Sequence, residues 1–354
     1  MNYDKMTPQQ AVELLCRMIE IPSQSGKEQE VAELLSEYVR ALGFEPKRSG
    51  NNLWIVSPDY SEEKPTILFD AHIDTVRPSA SWTYDPYKPT IVDGKLYGLG
   101  SNDTGGSVVS MLAAFVALTS KPQPFNLIWL ASAEEENTGP GGIQSVVDKV
   151  GKVDLAIVGE PTGMNPAIAE KGLFVIDCIS HGKAGHAARG EGINAIYEAM
   201  ADLEWFRTYR FERVSPLLGE VKMTVTGINA GTLHNVVPAE CRMMVDVRVN
   251  ELYDNEEIYE EICRNVKSEV VPRSFRLNSS SISPEHPIVV RAEELGGKAF
   301  ASPTTSNQAV IPWLSVKMGP GDSSRSHTAD EYIYLSEIEH AVKFYIALLD
   351  GFKL

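Results

Sequence analysis

The chain has 354 residues, which is long for one ordinary domain and suits two. Hydrophobic residues make up 43% of it and charged residues 23%, a composition that excludes a disordered chain and indicates a sizeable core. The net charge is −16, and a chain this acidic repels phosphate backbones and anionic lipid, so we expect neither nucleic acid nor a membrane as a partner.

The cysteines and the first residues indicate the compartment. None of the four cysteines belongs to a Cys-x-x-Cys pair or a disulfide-like spacing, so we expect buried, reduced thiols. The N-terminus has no apolar leader segment, and no stretch approaches the roughly 18 apolar residues of a membrane helix. We therefore expect a cytoplasmic protein.

Two amphipathic helices are predicted at the start of the chain. Thr7 and Gln10 form a capping box ahead of apolar residues at helical spacing. The second helix is predicted to begin at Ser25, where Glu28 completes another capping box, and to end at Gly43.

Short apolar runs and helices then alternate. Buried strands are predicted at residues 53–56, 67–71, 127–131 and 155–158, with a long apolar helix at residues 107–118 between the second and third. Buried strands that alternate with helices predict an α/β sheet covered on both faces.

The pattern changes near Gly172. Strands are predicted at residues 173–179, 221–227, 241–249 and 274–280, and helices at residues 195–206 and 256–266. This β-α-β-β-α-β order is typical of a ferredoxin-like α+β unit.

The α/β pattern resumes after this unit. Residues 314–318 predict a strand, and Ser336 with Glu339 is predicted to cap a final helix. We therefore expect a two-domain α/β protein. Its catalytic domain consists of residues 1–171 and 282–354, and its inserted domain of residues 172–281.

Histidines and carboxylates occur at the ends of the predicted strands. His72 and Asp74 follow the second strand, where alternation puts both on one side and the carboxylate could fix the tautomer of the imidazole. Asp103 lies in a glycine-rich loop before the long apolar helix. Alone, each pattern could also belong to an ordinary turn.

Three further segments have a similar position. Glu134, Glu135 and Glu136 directly follow the third strand, and a dication would relieve their mutual repulsion. Glu160 follows the fourth strand, and His327 lies in a polar segment near the C-terminus. Each could be a turn or a cap. Because sites in open α/β sheets form beyond the carboxyl ends of the strands, the segments together predict a metal site of oxygen and nitrogen ligands.

In this order along the chain, the motifs resemble those of the two-zinc family that includes acetylornithine deacetylase, succinyl-diaminopimelate desuccinylase, aminoacylase and carboxypeptidase G. The resemblance covers essentially the whole chain. It implies a zinc-exopeptidase-like α/β/α catalytic domain with an inserted lid and dimerisation domain. It also implies two zinc ions, for which cobalt or manganese could substitute. The ligands it implies are His72, Asp103, Glu136, Glu160 and His327, with Asp103 shared by both metals.

The resemblance assigns further roles near the metals. Asp74 would orient the first histidine, and Glu135 would be the general base. Gly141 and Gly142, five and six residues after the ligand of the acidic run, support this register over one shifted by a residue. The chain departs from the family at Gly105, where many members have a lysine.

The inserted domain would supply the remaining residues. The resemblance implies that His186 polarises the scissile carbonyl from the partner subunit of a homodimer, and that Asn235 contacts the substrate. It implies that Arg248 holds a substrate carboxylate, a task that suits the planar guanidinium fork.

The leading prediction is hydrolysis of the amide bond of a small N-acyl amino acid, such as N-acetyl- or N-succinyl-ornithine or -citrulline in arginine biosynthesis. One alternative is a desuccinylase of the diaminopimelate type. Another is a dipeptidase or aminopeptidase on the same metal site. A third is a non-catalytic binding protein that kept the fold.

Overall fold

The computed structural model describes residues 6–354, which divide into two compact units. Unit 1 consists of residues 6–168, Ile282–Phe300 and Ser306–Leu354, and unit 2 of Ala169–Ser281 with Ala301–Thr305. Unit 2 includes the whole of the predicted insertion and also residues 169–171 and 301–305. The prediction that the N-terminus has no leader segment falls partly on residues 1–5, which lie outside the described residues.

The first part of unit 1 alternates strands with helices. Its elements are α1 (Pro8–Ile19), α2 (Gln29–Ala41), β1 (Lys47–Ser49), β2 (Asn52–Val56), β3 (Thr66–His72), β4 (Thr90–Val92), β5 (Lys95–Tyr97), α3 (Gly106–Leu118), β6 (Asn126–Ser132), α4 (Val147–Val150), β7 (Leu155–Val158) and β8 (Ala167–Glu170). Thr7 and Gln10 cap α1 as predicted. The chain passes into unit 2 within β8.

Unit 2 is a ferredoxin-like sheet with helices packed on it. Its elements are β9 (Gly172–His181), β10 (Gly185–His186), α5 (Ala195–Thr208), β11 (Lys222–Ala230), β12 (Val236–Val237), β13 (Glu240–Val249), α6 (Asn255–Asn265), β14 (Glu269–Pro272) and β15 (Ser280–Ser281). The main sheet has the order β11-β13-β9-β14, antiparallel throughout. This arrangement confirms the predicted β-α-β-β-α-β unit.

The last part of the chain returns to unit 1, apart from Ala301–Thr305, which belong to unit 2. Its elements are α7 (Pro287–Glu294), β16 (Phe300–Ser302), β17 (Ser315–Lys317), β18 (Tyr332–Tyr334) and α8 (Leu335–Leu349). β17 pairs in parallel with β7, so this segment extends the sheet that the first part began.

The large sheet of unit 1 has β6, β3, β7 and β17 adjacent and parallel at its centre. Every residue of β3, β6 and β7 is buried, as expected for parallel strands covered on both faces. Alternate side chains enter two cores: Phe69 packs with α1, α3 and α8, and Leu68 with the opposite layer. The predicted α/β class is confirmed.

The second helix begins later than predicted. α2 starts at Gln29, and its first turn has no side-chain cap. Ser25 Oγ donates to Asp74 Oδ2 at 2.7 Å, and Glu28 Oε1 accepts from Glu134 N at 3.2 Å. The predicted capping box is wrong because distant partners engage both of its side chains.

The last strand of unit 2 also differs from its prediction. It is β14, directly after α6, rather than residues 274–280. Val270 in β14 packs against the core of unit 2, and the strand pairs with β9. Further along, Phe275 also packs against this core, but the segment forms only an isolated bridge between Leu277 and Leu173 and no strand of the main sheet.

The predicted cap of the final helix is wrong by two positions. Ser336 lies inside the first turn of α8, and Glu337 accepts from Tyr334 N at 2.9 Å. Glu339 instead forms an ion pair with Lys343 at 2.6 Å.

All four cysteines lie within the described residues and are free, which confirms the prediction of unpaired thiols. Cys178 and Cys241 are buried as predicted, Cys16 is half-buried, and the prediction of burial is wrong for Cys263, which is exposed. Among residues 6–354, no helix combines the length and apolar character needed to span a bilayer.

Candidate metal centre

Parallel strands bring the candidate ligands to one edge of the unit 1 sheet. β3, β6 and β7 are neighbours, so their carboxyl ends lie side by side. His72 is the last residue of β3, residues 134–136 follow β6, and Glu160 follows β7. Asp103 lies just before α3, and His327 lies in the loop between β17 and β18. Residues that are far apart in the sequence therefore meet at one place.

Five side chains form two overlapping groups, and together we call them the ligand cluster. His72, Asp103 and Glu160 place possible ligand atoms within 4.8 Å of one another. Asp103, Glu136 and His327 do the same. Asp103 belongs to both groups because its two oxygens face different histidines. Its Oδ1 lies 3.2 Å from His72 Nε2, and its Oδ2 lies 3.7 Å from His327 Nε2.

The donor atoms fit a pair of zinc ions. Each group combines one imidazole nitrogen with carboxylate oxygens, a ligand type found in catalytic zinc sites. Ligands about 2.1 Å from a tetrahedral zinc are about 3.4 Å apart. The observed spacings bracket this value, since His72 Nε2 lies 3.9 Å from Glu160 Oε1 and His327 Nε2 lies 2.9 Å from Glu136 Oε2. A carboxylate with one oxygen in each group is suited to bridging two ions.

A buried glutamate holds the loop that carries Asp103. Glu331, which is 2% exposed, accepts from the backbone N–H groups of Gly100, Asn102 and Asp103 at 3.0, 2.8 and 2.9 Å. Glu331 lies four residues after His327. Its carboxylate therefore connects the loop that carries Asp103 to the loop that carries His327.

Asp74 contacts both His72 and the acidic run. His72 Nδ1 lies 2.9 Å from the main-chain oxygen of Asp74 and 3.5 Å from its carboxylate Oδ1. The carboxylate accepts from the N–H groups of Glu135 and Glu136 at 3.0 and 3.1 Å. The nearer partner of the imidazole is therefore the carbonyl, while the side chain ties the acidic run to the end of β3.

The three glutamates of the acidic run point in different directions. Glu134 has a left-handed backbone with φ +52, and its Oε2 accepts from Gly141 N at 2.9 Å. A Cβ on Gly141 would overlap this carboxylate, so a larger residue there would displace the Glu134 side chain from its present position. Glu135 lies 4.0 Å from His72 Nε2, and Glu136 contacts His327. Only the second and third glutamates reach the ligand cluster.

The crowded carboxylates have shifted pKa values. Burial raises the pKa of Glu135 to about 8, and repulsion from Glu136 and Asp103 adds to this shift. Burial likewise raises the pKa of Glu160 well above its ordinary value. The hydrogen bond with Glu136 raises the pKa of His327 to about 9. Dications would favour the charged carboxylates and so relieve this repulsion.

Several residues that support the ligand cluster were not predicted from the sequence to act there. Asp70 is fully buried two residues before His72 and accepts from Asn307 Nδ2 at 2.9 Å. Ser25, Glu28 and Glu331 act through the contacts described above. For Asp70, a carboxylate inside an apolar strand could have indicated a role near the site. Nothing in the sequence around Ser25, Glu28 or Glu331 indicates a contact with the loops of the ligand cluster.

The chain is similar to a known family over most of its length. Residues 68–351 match the family described as peptidase family M20/M25/M40. The chain belongs to this family of metal-dependent amide hydrolases.

Among M20 relatives, acetylornithine deacetylase of Buchnera aphidicola is 28% identical over 348 residues, covering 90% of both chains. Succinyl-diaminopimelate desuccinylase of Wolbachia pipientis is 28% identical over 278 residues, covering 73% of this chain and 70% of the relative. The crystal structure of aminopeptidase PepT from Bacillus cereus has a TM-score of 0.78 at 18% identity, over 98% of this chain and 99% of the other. The family resemblance found in the sequence is therefore confirmed.

The departure from the M20 pattern at Gly105 has a packing reason. A Cβ there would lie 2.5 Å from Leu15 Cδ1 and 2.6 Å from Gly100 O. The close approach of α1 and the preceding turn leaves no room for a side chain. The missing lysine does not alter the ligand cluster, whose donors come from other positions.

The three candidate residues of the inserted domain lie in unit 2. His186 is exposed in β10, and Ala187 N donates to the main-chain oxygen of Asn235 at 3.1 Å. His186 pairs with Val236 in a short ladder, and Asn235 directly precedes that strand, so these two candidates lie close together. Arg248 lies in β13, where its Nε and Nη2 donate to the carboxylate of Asp246 at 2.8 and 3.1 Å.

Proposed function

We propose that this M20 protein is a two-zinc hydrolase that cleaves the amide bond of an N-acyl amino acid. The observation that carries the proposal is the sharing of Asp103 between two groups of ligand atoms. One group would hold a zinc ion through His72 and Glu160, and the other through Glu136 and His327. Cobalt or manganese could occupy the same donors.

The chain's own residues support an acid–base mechanism. A pair of zinc ions would lower the pKa of a water molecule from about 15.7 towards about 7 and polarise the amide carbonyl. Glu135 lies beside the ligand cluster, and burial raises its pKa to about 8. It would take a proton from the attacking water and return it to the leaving amine nitrogen. His186 would donate a hydrogen bond to the oxyanion that develops from the carbonyl.

The substrate assignment rests on the relatives. Those that match over most of the chain bear the names acetylornithine deacetylase and succinyl-diaminopimelate desuccinylase. We therefore propose an N-acetyl or N-succinyl amino acid, with ornithine or citrulline in arginine biosynthesis as the first candidates. Asn235 and Arg248 would bind the amino-acid part. Such a role, together with four free cysteines, suits the cytoplasm.

We also propose a homodimer formed through unit 2. The outer face of α5 exposes apolar side chains at helical spacing: Ile196, Tyr197 and Met200 are 37%, 69% and 60% exposed. Burying such a stripe against a second copy would be favourable. A solution mass of one chain at full activity would overturn this part of the proposal.

A substrate screen tests the proposed function. The metal-free protein receives zinc and is assayed with N-acetyl and N-succinyl amino acids alongside dipeptides. We expect hydrolysis of acyl amino acids at a higher kcat/KM than of any dipeptide. A preference for dipeptides would instead assign a dipeptidase or aminopeptidase. No zinc uptake and no hydrolysis would indicate a binding protein.

A further inference from the structure

A second cavity, with a volume of about 430 Å³, lies within unit 1. Its walls are residues 161–165 after β7, residues 298–300 at the start of β16, and residues 321–323 after β17. We call the space between these three segments the side cavity. None of the five residues of the ligand cluster lines it. Its volume lies within the range of sites that hold small molecules.

Hydrogen bonds connect the walls of the side cavity to one another. Gly163 N donates to the main-chain oxygen of Gly321 at 2.7 Å. Asn165 Oδ1 accepts from Lys298 N at 2.9 Å. Backbone and side-chain groups of the fold therefore hold the three segments in place before any ligand enters, and such preorganisation favours binding.

Two opposite charges line the side cavity without pairing. Lys298 and Asp322 are both exposed there. Over residues 6–354, Lys298 Nζ forms no hydrogen bond or ion pair, and Asp322 forms no ion pair. Hydrogen bonds from Ser324 lower the pKa of Asp322, so this carboxylate is charged at neutral pH. Each charge is therefore available to a ligand group of the opposite sign.

Part of the wall of the side cavity is apolar. The ring of Phe300 is 36% exposed, and Pro161 and Ala299 line the same space. An aromatic ring in a cavity wall can cover an apolar group of a ligand. A ligand that suits the cavity thus combines a negative group, a positive group and a short apolar part.

We propose that the side cavity binds a free α-amino acid with an apolar side chain. The carboxylate of the amino acid pairs with Lys298, its ammonium group pairs with Asp322, and its side chain packs on Phe300. This inference goes beyond the proposed function and does not depend on it, because the side cavity is separate from the ligand cluster. An N-acyl amino acid has no α-ammonium group for Asp322. The side cavity would therefore bind the class of product that the proposed hydrolysis releases rather than its substrate.

Calorimetry on the zinc-loaded full chain tests the proposal. L-leucine is compared with isocaproate, which lacks the ammonium group, and with isoamylamine, which lacks the carboxylate. We expect L-leucine to bind about fivefold more tightly than either, the effect of one ion pair near the surface. The measurement needs no turnover, so a failure of the proposed function would leave its outcome unchanged. Equal affinities for the three compounds, or no binding of L-leucine, would overturn the proposal.

Variants assign the binding to the side cavity. Lys298→Gln and Asp322→Asn should each weaken L-leucine binding about fivefold, and Lys298→Arg should restore it. Asparagine can still accept from Ser324 N, so the local turn is kept. Phe300→Ala should remove the advantage of L-leucine over glycine. Lys353→Gln is the control, because this exposed lysine of unit 1 lies outside the cavity. Unchanged L-leucine affinity in Lys298→Gln and Asp322→Asn would place the amino acid elsewhere and contradict the proposal.

Discussion

The ligand cluster of unit 1 and the candidate residues of unit 2 differ in how the fold holds them. Four of the five ligand side chains are 16% exposed or less, and His327 is 55% exposed. Neighbouring backbone groups and carboxylates fix the loops around them. His186 and Asn235 are exposed and are positioned by a short ladder. All five residues of the ligand cluster belong to unit 1. His186 and Asn235 belong to unit 2, and their proposed roles require metal ions that residues outside unit 2 would hold. Substitutions in the two regions should therefore affect metal binding and turnover separately.

The largest effect is expected at Glu135. Changing Glu135→Gln removes the proposed base, so kcat should fall by about 10²–10⁴-fold. The zinc content, measured by elemental analysis, should not change. Glu134→Gln is the neighbouring control, because that carboxylate serves the Gly141 turn. If Glu136→Gln keeps both metals and abolishes turnover, the assignment within the acidic run is wrong by one residue.

His186 tests the contribution of unit 2. His186→Ala should lower kcat by about 10²–10³-fold, the usual effect of losing one donor to an oxyanion, with zinc content unchanged. Mixing this variant with Glu135→Gln should recover part of the activity if the histidine acts across a dimer. Mixed chains that remain inactive despite forming heterodimers would contradict action from the partner subunit.

Glu331 tests the support of the cluster. Glu331→Gln replaces a carboxylate that accepts three N–H groups with an amide that has one acceptor oxygen. Zinc affinity, measured by competition with a chelator, should weaken by about 10–100-fold. Asp330→Asn is the matched control, since Asp330 accepts from Thr83 and Tyr84 instead. Unchanged affinity in Glu331→Gln would mean that the loop holds its position without this carboxylate.

The smallest effect is a pH dependence of the metal-free protein. Burial raises the pKa of both Glu135 and Glu331 to about 8 in the folded state, from an ordinary value near 4.5. The folded state then holds protons that the unfolded state has released. The stability this gives is present below about pH 4.5 and is lost as the pH rises through 8. The urea midpoint should therefore fall between pH 6 and pH 9, and zinc should reduce the fall. A rise in the metal-free midpoint would contradict the raised pKa values.

The sequence predicted the structure correctly where the local residue pattern and the overall fold agree. The apolar runs that became β3, β6 and β7 are buried along their length, and such runs occur at the centre of parallel sheets. Their ends also located the candidate ligands, because parallel strands point their carboxyl ends to one edge.

The sequence failed where a side chain has a distant partner. Ser25 and Glu28 have the spacing of a capping box, but their partners Asp74 and Glu134 lie 49 and 106 positions further along the chain. The backbone groups that Glu331 accepts from lie 228 to 231 positions earlier. Spacing within one segment carries no information about such contacts.

The central claim is that Asp103 is shared by two cations. A crystal of the zinc-loaded protein, measured on both sides of the zinc absorption edge, tests it most directly. We predict two anomalous peaks about 3.5–4 Å apart, one beside His72 and Glu160 and one beside Glu136 and His327, with Asp103 between them. A single peak, or a pair of peaks that Asp103 does not contact, would contradict the account.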